Sequence, residues 1–257
     1  MKLLAIPAFT DNYIWMLHDG REALVVDPGD AVVVEQALAT HGLKLTAILV
    51  THHHADHIGG LTALQHHGTP VWGPAELMPQ GVSNPVGEGD VISWQGVSFD
   101  VLFVPGHTAE HLAYLAAHPA PHRLHPLLFC GDTMFSAGCG RIFNGRIEDL
   151  HASLARLAQL QTDTEICPAH EYTHGNLKFA RVVEPGNVDV VAHLAHCQAL
   201  RDEGMPTLPT HLALEMDINP FLRSQHPEVV RSALAHGATD GTSLAIFTEL
   251  RRWKNTF

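Results

Sequence analysis

Over its first two thirds the chain alternates short apolar runs with polar, glycine- or proline-rich breaks, and then its texture changes. Residues 3–6, 13–17 and 23–26 are apolar runs of strand length, with Asp19-Gly20 predicting a hairpin turn between the second and third. Asp27-Pro28-Gly29-Asp30 breaks the pattern. Asp30 is placed to cap a helix whose apolar stripe is Val33, Val34, Ala37 and Leu38, and Gly42 ends it. Residues 45–50 form another β-rich apolar run. A polar cluster follows at 51–60, then a helical pattern through Ile58, Leu61, Leu64 and Gln65 that Gly68 and Pro70 close. Further strands are predicted at 70–72, 91–94, 98–104, 127–130 and 165–167, and Ile147, Leu150, Leu154 and Leu157 space out an amphipathic helix before the last of them. From Tyr172 onward nothing reads as a strand. Helical patterns cover 176–183, 188–203, 227–236 and 242–253, with Pro206, Pro209 and Pro220 among the breaks. The predicted organisation is an α/β domain over residues 1–173 followed by a helical domain over 174–257.

Composition narrows the class. Hydrophobic residues make up 46% and charged residues 16% of the 257, as in a folded globular protein. No apolar run approaches the ~20 residues of a membrane helix, and residues 1–6 are too short for a signal peptide before Pro7 intervenes. Cys130, Cys139, Cys167 and Cys197 make no CxxC pair, which suits a reducing compartment, so a cytoplasmic location is expected. A net charge of −12 argues against a nucleic-acid partner. Neither a nucleic-acid nor a membrane partner is expected, and a monomer is. The 21 histidines mean that isolated ones, such as His66, His67 and His122, carry little weight.

The 51–60 cluster is different because it sits in a strand-to-helix turn, where α/β sheets place their ligands. Within it His52 and His54 are two apart and project to one side of an extended segment, while Asp56 and His57 fall where the chain turns. Four ligand-type side chains in six residues exceed what one tetrahedral ion uses, so the stretch reads as two half-sites for a borderline divalent ion such as zinc. His107 stands beyond the strand ending at residue 104, in Pro105-Gly106-His107-Thr108. His111, a possible rival, enters the next apolar run and reads as core or as a support. Asp132 ends the strand at 127–130, and its two oxygens make it a candidate bridge between two ions. His170 ends the strand at 165–167. Four strand ends thus deliver ligand-type residues to what is expected to be one sheet edge. Asp27, at a strand end too, is a candidate for orienting a ligand histidine. Cys130 and Cys139 lie nearby but read as small apolar residues. No Gly-x-Ser-x-Gly motif offers a serine nucleophile.

His52-x-His54-x-Asp56-His57 resembles the signature of the metallo-β-lactamase superfamily. Further blocks narrow the resemblance to the hydroxyacylglutathione hydrolase (glyoxalase II) family. They are residues 7–15, Pro105-Gly106-His107-Thr108, Cys130-Gly131-Asp132-Thr133, Gly138-Cys139-Gly140-Arg141, Ala169-His170-Glu171-Tyr172-Thr173, residues 183–187 and Arg251-Arg252-Trp253-Lys254. Essentially the whole chain is covered. The resemblance implies an α/β/β/α sandwich with a C-terminal all-α domain that binds substrate. It assigns His52, His54 and His107 to one metal and Asp56, His57 and His170 to a second, with Asp132 bridging. The two ions would be zinc, with iron or manganese as alternatives. Asp56 and Asp132 are the carboxylates given a catalytic role. The reaction implied is hydrolysis of S-(2-hydroxyacyl)glutathione, S-D-lactoylglutathione above all, by hydroxide held between the two ions. Substrate contacts map onto Arg141, Tyr172, Arg251 and Lys254, and onto Phe143, where the family often has tyrosine. Arg251 and Lys254 would clamp the glycine carboxylate of glutathione. Competing expectations are a lactonase, a β-lactamase or a persulfide dioxygenase of the same fold, and a non-catalytic zinc-binding protein.

Overall fold

The computed structural model describes residues 1–65, 68–118 and 123–257, so His66, His67 and His122 lie outside the described residues. Strands β1 (Lys2–Ala8), β2 (Asn12–His18) and β3 (Glu22–Val26) form an antiparallel meander. Helix α1 (Ala31–His41) returns the chain so that β4 (Lys44–Leu49) runs parallel to β3. Asp30 caps α1 by accepting from the Val32 amide at 2.8 Å. Beyond β4 come two single-turn helices, α2 (Ala55–Ile58) and α3 (Leu61–Leu64), then β5 (Val71–Gly73) and β6 (Asn84–Pro85), which complete a sheet in the order β1-β2-β3-β4-β5-β6.

The second sheet takes β7 (Val91–Trp94), β8 (Val97–Phe103), β9 (Leu112–Ala116) and β10 (Leu127–Gly131) as an antiparallel series. A small hairpin, β11 (Met134–Phe135) and β12 (Gly138–Cys139), and helix α4 (Ile147–Leu157) then precede β13 (Glu165–Pro168), which lies parallel to β10. Five helices complete the chain: α5 (Thr173–Val183), α6 (Val188–Asp202), α7 (Leu212–Ile218), α8 (Pro227–His236) and α9 (Ser243–Thr256). Just before α7, β14 (Thr210–His211) pairs antiparallel with β13 and finishes the sheet in the order β14-β13-β10-β9-β8-β7.

Three apolar layers hold this together. Between the sheets, Trp15, Leu17, Leu24 and Leu49 meet Phe99, Val101, Tyr114 and Phe129. On the outer side of the first sheet, Ile14, Met16 and Ile48 pack with Val34, Leu61 and Leu64. On the outer side of the second, Leu128, Cys130 and Ile166 pack with Leu150, Leu154, Phe247 and Leu250. Alternate residues of β2 therefore enter different layers, and a strand covered on both faces reads as one continuous apolar run. The result is the α/β/β/α sandwich with a helical C-terminal region.

Three expectations need correction. The ligand-bearing strand ends do not share one sheet edge: β4 belongs to the first sheet, whereas β8, β10 and β13 belong to the second. Apolar runs tell which segments are strands but not which strands are neighbours. The helix expected through residues 58–65 is broken into α2 and α3 at Gly59-Gly60. A side-chain carbon there would lie 2.6 Å from the Gly29 carbonyl oxygen or 2.5 Å from that of Pro28, so the close approach of the α1 entry loop requires glycine. The C-terminal region is not free of strand either. β14 is two residues long, too short for periodicity to register, and α7 is a seven-residue helix between Pro209 and Pro220 that the pattern did not reveal.

Candidate metal centre

The turn beyond β4 is fixed by Asp27, a buried residue at φ +53° at the end of β3. Asp27 accepts from the Thr51 amide at 2.7 Å and the Thr51 hydroxyl at 2.8 Å, and contacts His57 Nδ1 at 3.0 Å. Because the Thr51 hydroxyl donates to Asp27, it is left to accept from His52 Nδ1, 2.9 Å away. The histidines beyond β8 and β13 have similar partners. His107 Nδ1 donates to the Arg141 carbonyl at 2.8 Å, and His170 Nδ1 to Asp11 at 2.8 Å. An acceptor at Nδ1, a carboxylate or carbonyl for His57, His107 and His170 and the committed Thr51 hydroxyl for His52, fixes the tautomer, so the four Nε2 atoms face inward.

They converge as two groups. His52, His54, His107 and Asp132 bring one donor atom each within 4.8 Å of one another, and so do Asp56, His57 and His170. In the first, His54 Nδ1 is 3.0 Å from His52 Nε2 and 3.1 Å from His107 Nε2, and Asp132 Oδ2 is 3.4 Å from His107 Nε2. In the second, Asp56 Oδ2 lies 3.5 Å from His57 Nε2 and 3.4 Å from His170 Nε2. The other Asp132 oxygen faces this second group, 3.5 Å from His57 Nε2 and 3.4 Å from His170 Nε2. Asp132 therefore turns one oxygen to each group. Donors bound tetrahedrally to one zinc at about 2.0–2.1 Å lie roughly 3.3 Å apart. The observed separations match that edge. His57 Nε2 and Asp132 Oδ1 are also buried without a hydrogen-bond partner, a costly state that a divalent cation relieves. These residues fit a pair of divalent ions.

The protonation of the site fits the same picture. Burial, reinforced by the neighbouring His57, His111 and His107, holds His52 well below the usual histidine range, and burial brings His54 down to about 4. Burial would depress His170 as well, but the Asp132 and Asp56 carboxylates outweigh it and push it up to about 10. Protons thus compete with cations for the second group.

His111 is brought close but turned elsewhere. It stacks on His52 at 4.6 Å, while its Nε2 accepts from the Asp132 amide at 3.2 Å. Of the cysteines, only Cys139 lines the adjoining cavity, and burial pushes its thiol up to about 11. Asp56 is held by an Asn12 amide at 2.9 Å, and Glu110 lies 2.5 Å from His53 Nδ1. Sequence reasoning gave no role to Asp11, Asn12 or Glu110. The only local signal for Asp11-Asn12 is a polar pair in the β1–β2 turn, which is ordinary turn composition.

His54, Asp56, His107, Asp132 and His170 line the floor of a cavity of about 600 Å³, with His52 and His57 buried beneath it. Arg141, Phe143, Tyr172, Arg251 and Lys254 all line it. Phe143 is 63% exposed and stands edge-on to His54 at 4.7 Å and His107 at 5.1 Å. Tyr172 stacks on His170 at 4.7 Å and 7°. On α9, Arg251 is buried and donates to the Cys139 carbonyl at 2.8 Å, whereas Arg252 turns away to solvent. Lys254 donates to the Gly175 carbonyl at 3.2 Å. Burial, with help from Arg251 and Arg141, lowers its ammonium to about 8.

A two-sheet sandwich with helices on both outer faces and His/Asp donors at its strand ends defines the metallo-β-lactamase superfamily, whose family model matches residues 8–170. Solved structures agree on the fold. ETHE1 from Myxococcus xanthus aligns at TM-score 0.65 with 23% identity, over 98% of this chain and 90% of that one. The BLEG-1 B3 metallo-beta-lactamase aligns at 0.62 with 21% identity, over 86% and 98%. The remainder, residues 171–257, matches the model described as hydroxyacylglutathione hydrolase C-terminus. The hydroxyacylglutathione hydrolase of Albidiferax ferrireducens is 50% identical across the whole of both chains, and that of Cupriavidus taiwanensis is 47% identical over 100% of this chain and 99% of that one. The chain belongs to the hydroxyacylglutathione hydrolase family.

Proposed function

We propose that this protein hydrolyses S-(2-hydroxyacyl)glutathione, with S-D-lactoylglutathione as the principal substrate, to glutathione and a 2-hydroxy acid, D-lactate in that case. The observation that carries this reading is one cavity that joins a seven-residue His/Asp cluster, five of whose members line its floor, to a cationic wall from α9. In this reading His52, His54 and His107 would hold one ion and Asp56, His57 and His170 the second, with Asp132 serving both. Zinc is the proposed metal, with iron or manganese as alternatives. When bound, such a pair polarises a carbonyl and makes a water molecule acidic near neutral pH.

The chain's own groups do the rest. Asp27, Thr51, Asp11 and the Arg141 carbonyl hold the histidine rings in one tautomer and orientation. Phe135, Phe143 and Tyr172 line the wall above the floor and offer it an apolar, aromatic face. Arg141, Arg251 and Lys254 hold the anionic tail of glutathione. Cys139 is no nucleophile there, because burial pushes its thiol up to about 11 and keeps it protonated at neutral pH. A thiolate departs without a strong general acid, and the chain needs none for a thioester. We also propose a division of labour between residues 1–173, which carry the chemistry, and 174–257, which carry substrate binding. A monomer in the cytoplasm, without nucleic-acid or membrane partner, completes the reading. The net charge of −12 weighs against a nucleic-acid partner and the four free cysteines suit a reducing compartment, and among the described residues no helix is long and apolar enough to cross a membrane.

The test is hydrolysis of S-D-lactoylglutathione by metal-loaded and chelated protein, beside a matched oxygen ester and a β-lactam. Thioester cleavage that chelation abolishes and zinc restores is expected. Equal rates on the β-lactam would favour a lactamase instead.

A further inference from the structure

The β11–β12 hairpin joins the two halves of the cavity. One leg leaves Asp132 and carries Phe135, whose ring stands edge-on to Tyr172 at 5.1 Å. The other leg leads to Cys139, whose carbonyl accepts from Arg251, and to Arg141, whose carbonyl holds His107. Its tip, Ser136-Ala137, sits far from solvent with Ala137 at φ +53°, a left-handed conformation that a residue with a side chain adopts only under restraint.

That restraint comes from α7 and, through the Asn176 side-chain amide that donates to the Ser136 carbonyl at 3.0 Å, from α5. Glu215, fully buried, takes the Ser136 hydroxyl at 2.8 Å and the Ala137 amide at 2.8 Å on separate oxygens. The Thr210 hydroxyl at 2.9 Å and the Asn219 amide at 3.1 Å complete its shell. Asn219, one turn later, also donates to the carbonyls of Phe135 at 3.2 Å and Gly138 at 3.0 Å. Such a buried carboxylate is expensive to desolvate and is tolerated only with its acceptor capacity filled.

We propose that Glu215 is a positioning residue for substrate binding: it grips the strained tip of the β11–β12 hairpin and so sets Arg141, Phe135 and the carbonyls that hold Arg251 in the cavity wall. This rests on the hydrolase reading above. Five of the seven metal donors stand on separate elements, and Asp132 is anchored independently by its amide, which donates to His111 Nε2, so the larger effect is expected on affinity for the thioester.

The oxygen that takes Ala137 and Asn219 receives donors that can only donate, whereas the hydroxyls of Ser136 and Thr210 can reverse and accept. Glutamine, with its amide nitrogen toward the hydroxyls, therefore satisfies the same four partners, and leucine satisfies none. The experiment compares Glu215→Leu, Glu215→Gln and the parent, each with metal content measured, on S-D-lactoylglutathione. Glu215→Leu is expected to raise KM about tenfold with kcat within about twofold and metal content unchanged, since unsatisfied buried groups displace the wall. Glu215→Gln is expected to match the parent. A residue that mattered only for stability would lower the active fraction, and thus apparent kcat, at parental KM; that result overturns the proposal, as does a glutamine variant as impaired as leucine. Should Glu215→Leu not fold, the Ser136→Ala, Thr210→Val double variant strips one carboxylate oxygen of both donors without touching α7. Parental KM there overturns the proposal equally. A parent inactive on the thioester refutes the hydrolase reading instead, whatever the variants do.

Discussion

Asp132 is the residue on which the paired donor groups depend, because each of its oxygens faces a different group. Asp132→Ala is expected to lose both ions and the activity together. Elemental analysis that finds one tightly held ion in an active Asp132→Ala protein would refute the paired centre. Lys254 makes a pH-dependent contribution. Its ammonium is lowered to about 8 by burial and by Arg251 and Arg141, so the charge is complete well below pH 8 and lost above it. KM for an anionic thioester is therefore expected to climb as pH rises through about 8, and Lys254→Arg, which stays charged, is expected to flatten the climb. A KM profile that is the same in both would remove Lys254 from binding. At this scale the seven ligand-type residues and Asp27 were legible, because strand ends mark where such side chains gather. Asp11, Asn12, Glu110 and Glu215 were not. Their roles depend on which distant segment faces them, and locally they are a turn pair, a loop acid and a helix residue.

Among elements, the strands and long helices were legible because a buried strand or an amphipathic helix leaves a periodic trace. The pairing of β4 apart from β8, β10 and β13, the two-residue β14 and the short α7 left none. The C-terminal helices are tied by an interaction that the sequence also concealed. Glu184, which ends α5, is fully buried and receives a two-pronged contact from Arg223, with Nε and Nη2 at 2.8 and 2.9 Å. His226 approaches the same carboxylate at 3.0 Å. Removing one partner of a buried pair strands the other, so Glu184→Ala is expected to cost about 3–5 kcal/mol in a denaturant melt. A cost below about 1 kcal/mol would mean that water replaces the carboxylate, as at a surface pair.

For the whole molecule, an acidic protein that binds an acidic substrate works against its own long-range field. Residues 223–257 hold five basic and three acidic side chains, and α9 turns Arg251 and Lys254 into the cavity while Arg252 points away. Lys254→Ala is expected to raise KM by the loss of a charge-assisted contact, about 1.5–3 kcal/mol before screening. Arg251→Ala should add to this, but it also releases the Cys139 carbonyl and so costs stability. Added salt should raise the KM of the parent and barely alter that of the double variant. Equal salt dependence would show that these cations only support the helix end.

Each donor group draws on both sheets. His52 and His54 follow β4 of the first, and His107 and Asp132 follow β8 and β10 of the second; Asp56 and His57 are likewise matched by His170 beyond β13. Because each donor group spans both sheets, an ion bound there would rivet the sandwich, and its binding energy would become cohesion between layers. The unfolding free energy should then rise with the concentration of the free divalent metal, by about 1.4 kcal/mol per tenfold change for each ion that only the folded protein binds. A melt indifferent to zinc and to chelator would contradict this. A chelator, on these terms, is a denaturant that happens first to be an inhibitor.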